Sequence, residues 1–228
     1  MIKSSIIVIS AGTLRSFNYI FELQKAGITI EEVCLLDSEL PLPGKREIDN
    51  SGAMYLKIVE LCKINNITLS SHESDVNSKS LFQKLKKLHS ELIVYSGFGG
   101  QIIKTPLLSL EKLFLHIHPG SLPKYRGSTT IYYSILNQDE CGVTAILLDK
   151  NIDTGMIVGK KNFTLSNNMS DIDFDIDICF RTELLIDVVT HYINKGCFEI
   201  NLPQDLHKGM NYYIAHPVLR HIAKMRKV

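Results

Sequence analysis

The sequence carries no large excess of charge of either sign. It has 25 Lys and Arg against 24 Asp and Glu over 228 residues, for a formal net charge of +1. A chain without a strong positive field does not draw in phosphate backbones from a distance, so nucleic acid is not the expected partner. With 45% hydrophobic and 21% charged residues, the chain has the composition of an ordinary globular protein.

Paired cysteines and long apolar runs are also missing. The five cysteines show no CxxC spacing, which favours thiols in a reducing compartment over a disulfide framework, so we expect a cytoplasmic protein. The apolar run near the N-terminus, Ile6 to Ile9, is too short for a signal peptide or a membrane span. We therefore expect no membrane partner.

What is present is an alternation of buried strands and amphipathic helices. Strand-like runs at 5–10, 31–37, 67–69 and 91–97 alternate with helix-like segments at 16–26, 53–65 and 77–89, and an exposed loop is predicted at 40–52. This pattern predicts an α/β fold with a mostly parallel sheet flanked by helices.

The second half of the chain predicts additions to that sheet. A helix is expected at 129–138, and the alternating runs 141–149 and 156–165 are typical of antiparallel strands. One long helix is predicted from an N-cap at Ser170 to Gly196, with the aspartates Asp171 to Asp177 at its start rather than in a calcium loop. We expect a main domain over 1–165 and, over 166–228, a short helical C-terminal extension packed on it.

The stretch HIHPGSLPKYRG, 116–127, contains the main candidate chemistry. His116 and His118 are on the same side of a predicted strand because strand side chains alternate, and Pro119 and Gly120 end that strand. The pair could be structural, catalytic or metal-binding. No HExxH motif or paired cysteines supply further ligands, so no metal is predicted. Asp153 lies in a predicted turn, 35 positions after His118.

Together, HIHPGSLPKYRG, CGVTAILLDKNIDTGMIV and ELIVYSGFGGQIIKTPLL resemble the folate-dependent formyltransferase family over about residues 5–165. The resemblance implies a Rossmann-like domain in which 10-formyltetrahydrofolate donates a formyl group to an amine. His118 and Asp153 match the catalytic histidine and aspartate. His116 matches the catalytic position where the family has asparagine, whose amide donates a hydrogen bond at any pH, whereas the donor of histidine depends on its tautomer.

The resemblance also implies a set of folate-binding residues, contributed largely through the backbone. Ordinary turn glycines are the alternative for Gly99 and Gly100, and core packing is the alternative for Ile103 and Ile152. The set is Gly99, Gly100, Gln101, Ile103, Asp149, Lys150 and Ile152.

Within the family, the run RGSTTIYYSIL and the tail GMNYYIAHPVLRHIA look most like the nucleotide-sugar N-formyltransferases, enzymes of polysaccharide biosynthesis. Tyr132, Tyr133 and Tyr212 are the candidate contacts to the acceptor, with half-buried structural tyrosines as the alternative. Thr13 and Arg15, at a predicted helix start, could bind an acceptor phosphate, although Arg15 could equally be a solvated side chain.

Three functions compete on this basis. The first is N-formylation of a nucleotide-linked amino sugar. The second is formylation of another small amine, glycinamide ribonucleotide or an aminoacyl group, although the net charge and the roughly 60 residues after Leu165 speak against a tRNA acceptor. The third is a non-catalytic folate- or nucleotide-binding module. A homodimer is compatible with each of them.

Overall fold

The computed structural model describes residues 5–36, 51–138, 140–163, 171–173 and 177–226. The chain divides into two compact units, Met1–Leu115 and His116–Val228, with the boundary inside one strand. Most of the loop predicted at 40–52, and the N-cap predicted at Ser170, lie outside the described residues.

The first unit is a parallel α/β sheet, as predicted. The strands are in the order β3-β2-β1-β4-β5, and every described pairing between them is parallel. The elements are β1 (Ser5–Ser10), α1 (Leu14–Lys25), β2 (Thr29–Leu36), α2 (Ser51–Ile64), β3 (Thr68–His72), α3 (Lys79–Lys87), β4 (Leu92–Ser96), α4 (Thr105–Leu108) and β5 (Leu113–His118).

The burial of β1 explains why its continuous run of apolar, mostly β-branched residues forms a central strand. All four residues from Ile6 to Ile9 are inaccessible to solvent, which is the condition of a central strand covered on both faces. Thr13 then caps α1 by accepting a hydrogen bond from the Ser16 amide, and Ile20 and Leu23 form part of the buried face of the helix.

The second unit contains a pair of strands, β7 and β8, beside several helices and short strands. The pairing of β7 with β8 is antiparallel, which confirms the prediction made from their alternating pattern. The elements are β6 (Tyr125–Gly127), α5 (Thr130–Leu136), β7 (Cys141–Leu147), β8 (Ile157–Phe163), α6 (Asp177–Lys195), a 3-10 turn (Leu206–Lys208), β9 (Met210–Tyr212) and α7 (Pro217–Met225).

The fold is of the predicted α/β, Rossmann-like class, with a mostly parallel sheet, antiparallel additions and helices near the C-terminus. All five cysteines are free thiols. No described helix is long and apolar enough to cross a membrane. The short elements α4, β6 and β9 were not predicted, because segments of three or four residues are too short to show a periodic pattern.

Candidate active site

The C-terminal end of β5 presents the two histidines of the motif. Ile117, which separates them in the sequence, is buried. The ring centroids of His116 and His118 lie 6.5 Å apart. His118 is 1% exposed, whereas His116 is only half-buried. The strand therefore encloses one imidazole and leaves the other partly accessible.

Asp153 meets His118 from the turn between β7 and β8. Its Oδ2 atom lies 3.4 Å from His118 Nδ1, and its side chain is 12% exposed. Asp153 adopts a φ of 52°, in the left-handed region that aspartate tolerates better than most residues. The structure thus brings together His116, His118 and Asp153, the three residues predicted to be catalytic.

The short strand β6 holds both members of the His118–Asp153 pair. His118 Nε2 is 2.7 Å from the carbonyl oxygen of Tyr125, and the Gly127 amide donates to Asp153 Oδ2 at 2.8 Å. Because a carbonyl oxygen can only accept, Nε2 carries the hydrogen of that bond. Nδ1 is then the ring nitrogen that faces the carboxylate.

The position of β6 depends on a parallel pairing with β9, in which Tyr125 is opposite Met210 and Gly127 is opposite Tyr212. Two glycines permit this close approach. A Cβ atom on Gly127, whose φ is 99°, would lie 2.1 Å from the Tyr212 carbonyl oxygen, and one on Gly209 would lie 1.7 Å from the Pro123 carbonyl oxygen. No larger residue fits at either position without moving the backbone.

Arg126 stabilises the pairing of β6 with β9, which we call the β6–β9 junction. This role was not predicted from the sequence. The buried Arg126 guanidinium donates to the carbonyl oxygens of Leu206 and Gly209 at 3.2 and 2.9 Å and to Asn211 Oδ1 at 3.1 Å. Its Nη1 atom has no hydrogen-bond partner among the described residues. The Arg-Gly pair of the motif was the signal that could have identified it.

The electrostatics of the pair keep Asp153 ionised. Burial by itself raises the pKa of this carboxyl group, but the charge and hydrogen bond of His118, the charge of His116 and the Gly127 amide together lower it from 3.8 to about 2. Asp153 is therefore a carboxylate at neutral pH, facing an imidazole.

The same three residues are also a group that could hold a metal ion. His116, His118 and Asp153 each offer one ligand atom, and these atoms all lie within 4.8 Å of one another. The arrangement can thus support proton transfer between an imidazole and a carboxylate, or binding of a cation by all three groups.

The folate-binding residues predicted in the first unit follow β4. Gly99 and Gly100 are exposed, and Gly100 has a φ of 84°. Gln101 uses its side chain within the unit, donating to the Ser74 carbonyl oxygen and accepting from the Val76 amide. Ile103 is 3% exposed, so the core-packing alternative is confirmed for its side chain.

The folate-binding residues predicted in the second unit form the turn that leads to Asp153. The Asp149 carboxylate accepts hydrogen bonds from the Thr154 hydroxyl and the Asn151 amide, which fixes the turn. Lys150 is exposed. Ile152 is 50% exposed, so the core-packing alternative is wrong for this residue. An isoleucine held in contact with solvent beside Asp153 is available to an apolar ligand.

The predicted acceptor-binding residues of the first unit start α1. Thr13 is the N-cap, and Arg15 donates from Nε to Ser96 Oγ at 3.1 Å and from Nη2 to the Gly97 carbonyl oxygen at 2.8 Å. The alternative of a solvated Arg15 is therefore wrong: its guanidinium is bonded to the carboxyl end of β4.

The three predicted tyrosines of the second unit differ in their surroundings. Tyr132 is fully buried, and its hydroxyl donates to Asp173 at 2.8 Å. Tyr133 and Tyr212 are half-buried, and their ring centroids lie 4.6 Å apart. Tyr212 also stacks on Tyr125, with centroids 5.2 Å apart. Tyr133 and Tyr212 thus keep partly accessible rings, and Tyr132 does not.

Comparison with known proteins places this geometry in context. The model of the formyl transferase family matches residues 5–173. The methionyl-tRNA formyltransferase of Caldanaerobacter subterraneus subsp. tengcongensis is 30% identical over 128 residues, covering 55% of this chain and 41% of that protein. The chain spans less than half the length of such curated relatives.

Solved structures share the fold at lower identity. The N-formyltransferase of Helicobacter canadensis, in complex with folinic acid and dTDP-3-aminofucose, has a TM-score of 0.64 and 18% identity, covering 100% of this chain and 80% of that chain. The phosphoribosylglycinamide formyltransferase of Bacillus halodurans has a TM-score of 0.60 and 18% identity, covering 86% of this chain and 100% of that chain. These likenesses establish the common fold.

Asp153 makes the acid stability of the protein testable. Its pKa is lowered from 3.8 to about 2 in the folded state, so its stabilising effect is complete above about pH 4 and is lost as the pH falls towards about 2, an effect of about 2 kcal/mol. We expect the free energy of unfolding to fall more steeply over this interval in the wild type than in Asp153→Asn, in urea denaturation at a series of pH values. Glu199→Gln, which removes an exposed carboxylate, is the control. Parallel curves for the wild type and Asp153→Asn would contradict this assignment.

Arg126 provides a second test, of the junction between β6 and β9. We expect Arg126→Leu to lower the free energy of unfolding by about 2–3 kcal/mol, because three hydrogen bonds from a buried cation are lost. Lys124→Leu removes an exposed cation two positions away and should cost less than about 1 kcal/mol. If the two substitutions lowered the free energy of unfolding equally in urea denaturation, Arg126 would not stabilise this junction.

Proposed function

Because the chain belongs to the formyl transferase family, we propose that it transfers a formyl group from 10-formyltetrahydrofolate to the amino group of a nucleotide-linked amino sugar. The observation that carries the proposal is the His118–Asp153 pair, with Nδ1 and Oδ2 3.4 Å apart and each residue held by a backbone group of β6. A fixed imidazole and carboxylate are suited to moving a proton during acyl transfer.

The reaction needs a proton route and a donor to an oxyanion. The acceptor nitrogen attacks the formyl carbon, a tetrahedral oxyanion forms, and the bond from that carbon to the folate nitrogen then breaks. One proton moves overall from the acceptor nitrogen to the folate nitrogen. His118 Nδ1 is the ring atom that can take up and return it, because Nε2 is engaged by Tyr125, and the ionised Asp153 stabilises the positive charge that develops on the ring.

His116 is the candidate donor to the oxyanion. It lies beside His118, with ring centroids 6.5 Å apart, and the residue is half-buried. A histidine in place of the family's asparagine donates only from a protonated ring nitrogen, so its contribution depends on the tautomer. His116 therefore matches the position of the asparagine amide but, unlike that amide, does not offer a hydrogen-bond donor in every protonation state.

The co-substrate would be bound mainly through loops. In the second unit, the exposed Lys150 and Ile152 belong to the turn that Asp149 fixes, and the backbone of that turn is the candidate contact to the pterin ring. Gly99, Gly100, Gln101 and Ile103 remain predictions for folate binding in the first unit. No metal is required by this chemistry.

For the acceptor, the partly accessible rings of Tyr133 and Tyr212 could stack on a base or a sugar. Thr13, Arg15 and Tyr132 remain predicted acceptor contacts; Tyr132 would act through the position of α5 because its ring is buried. The Helicobacter canadensis protein, which has this fold, was solved with dTDP-3-aminofucose. A formylated sugar of this kind would be used in cytoplasmic steps of polysaccharide biosynthesis.

A second candidate acceptor is an aminoacyl group, since the first curated relatives are methionyl-tRNA formyltransferases. Against a tRNA acceptor stands the net charge of +1, which offers little long-range attraction for a polyanion. Glycinamide ribonucleotide is a third acceptor, supported by the fold shared with the Bacillus halodurans enzyme.

A panel of acceptors tests the proposal. The protein is mixed with 10-formyltetrahydrofolate and, separately, with dTDP-linked 3-amino and 4-amino sugars, glycinamide ribonucleotide and methionyl-tRNA. We expect tetrahydrofolate release and a product heavier by one formyl group with an amino sugar. Turnover with another acceptor alone would reassign the substrate, and no turnover despite folate binding would support the non-catalytic alternative.

Replacement of His118 tests its role with the best acceptor. We expect His118→Ala to lower kcat/KM by about 10²–10⁴-fold, because a general acid-base group is lost. Since His118 is buried, His118→Asn is measured beside it, and circular dichroism checks the fold of both. His207→Ala changes an exposed histidine of the same unit and should leave kcat/KM unchanged. Full activity in a folded His118 variant would refute the assignment.

A further inference from the structure

We propose that His116, His118 and Asp153 form a binding site for a divalent transition-metal cation of the zinc type, and that the bound cation inhibits the enzyme. The inhibition rests on the proposed function, whereas the binding does not. The three residues are the group whose ligand atoms lie within 4.8 Å of one another in the part of the chain that the structure describes.

The distances suit a shared cation. Nitrogen and oxygen ligands of zinc lie about 2.0–2.2 Å from the metal, so two of them in a tetrahedral arrangement are about 3.4 Å apart. His118 Nδ1 and Asp153 Oδ2 are separated by 3.4 Å. The ligand atom of the half-buried His116 lies within 4.8 Å of the other two. The two more enclosed ligands are thus already spaced for one ion.

Backbone groups around His118 and Asp153 orient these two side chains in the way that neighbouring groups usually orient metal ligands. A histidine that binds a metal through one ring nitrogen commonly donates its other N–H group to a backbone carbonyl or a carboxylate. His118 Nε2 makes such a bond to Tyr125 at 2.7 Å, which turns Nδ1 towards Asp153. The Asp153 carboxylate is held in turn by the Gly127 amide. Both orientations are therefore fixed before any ion binds.

His116 is the residue that completes the ligand set. An asparagine at this position, as in the family pattern, would offer only a neutral amide, whereas imidazole is a strong ligand for zinc, cobalt and nickel. Two imidazoles and one carboxylate favour these ions over magnesium and calcium, which prefer oxygen ligands. The chemistry of the set thus selects the class of ion.

Metal binding and proton transfer use the same atoms. An ion on His118 Nδ1 occupies the lone pair that would accept the proton, and an ion on Asp153 neutralises the carboxylate that stabilises the charged ring. The bound cation therefore inhibits formyl transfer by excluding the reaction's own proton acceptor.

The test measures binding and inhibition separately. Zn²⁺ binding is followed by isothermal titration calorimetry, and Co²⁺ binding by visible absorption, for the wild type, His116→Asn and His207→Asn. We expect one Zn²⁺ per chain at this site, an affinity at least 10-fold weaker in His116→Asn and an unchanged affinity in His207→Asn, which alters an exposed histidine outside the site. Mg²⁺ should neither bind there nor compete. Circular dichroism checks that each variant is folded.

Inhibition is read as the ratio of turnover with and without Zn²⁺, so differences in basal activity cancel. We expect the wild type and His207→Asn to be inhibited at least 10-fold at saturating Zn²⁺, with recovery on addition of EDTA, and His116→Asn to need at least 10-fold more Zn²⁺ for the same inhibition. If a folded His116→Asn binds Zn²⁺ as tightly as the wild type, the metal site is refuted. If the wild type binds Zn²⁺ through His116 but formylates no acceptor, the site stands and the proposed function fails.

Discussion

Two backbone groups of β6 fix both members of the His118–Asp153 pair: the Tyr125 carbonyl oxygen accepts from His118 Nε2, and the Gly127 amide donates to Asp153 Oδ2. The two side chains come from segments that are distant in sequence, and both meet β6. Because both bonds are made by backbone groups of one three-residue strand, the position of that strand contributes to the distance between the imidazole and the carboxylate. The site therefore depends on whatever holds β6.

The C-terminal segment is one of the elements that position β6. Its pairing with β9, the hydrogen bonds of Arg126 and the narrow approach at Gly127 form one junction. Tyr212, in β9, stacks on Tyr125, whose carbonyl oxygen carries the bond to His118. A ligand that moves the Tyr212 ring would thus act on the same strand that positions the histidine. If the acceptor binds at these tyrosines as proposed, its binding would be coupled to the geometry of the His118–Asp153 pair through Tyr125.

Much of the fold and part of the site could be predicted because their signals are local. The buried β-branched run at β1 and the alternating runs at β7 and β8 predict their strands from a few adjacent residues, and the HxH spacing predicts that both rings share one face. The junction of β6 with β9 could not be predicted in this way, since it pairs three residues with three others 85 positions later and has no periodicity. Likewise, an isoleucine pattern cannot distinguish Ile103, which is buried, from Ile152, which is exposed on a turn that Asp149 shapes.

His116 matches a position where the family pattern has asparagine, and the two side chains differ in two properties that matter for the site. An asparagine amide donates at any pH and is a poor ligand for transition metals, whereas an imidazole can donate from only one nitrogen when neutral and binds such metals through the other. The His116 imidazole thus provides a metal ligand that asparagine would not provide, and it lacks the hydrogen-bond donor that an asparagine amide offers at any pH. With Asp153 ionised and His118 turned towards it by Tyr125, the remaining two ligands are present whether or not position 116 completes the set. If a metal ion occupies the proposed site, His116 acts as its ligand, and in the absence of the ion the same ring can act as the proposed donor to the oxyanion.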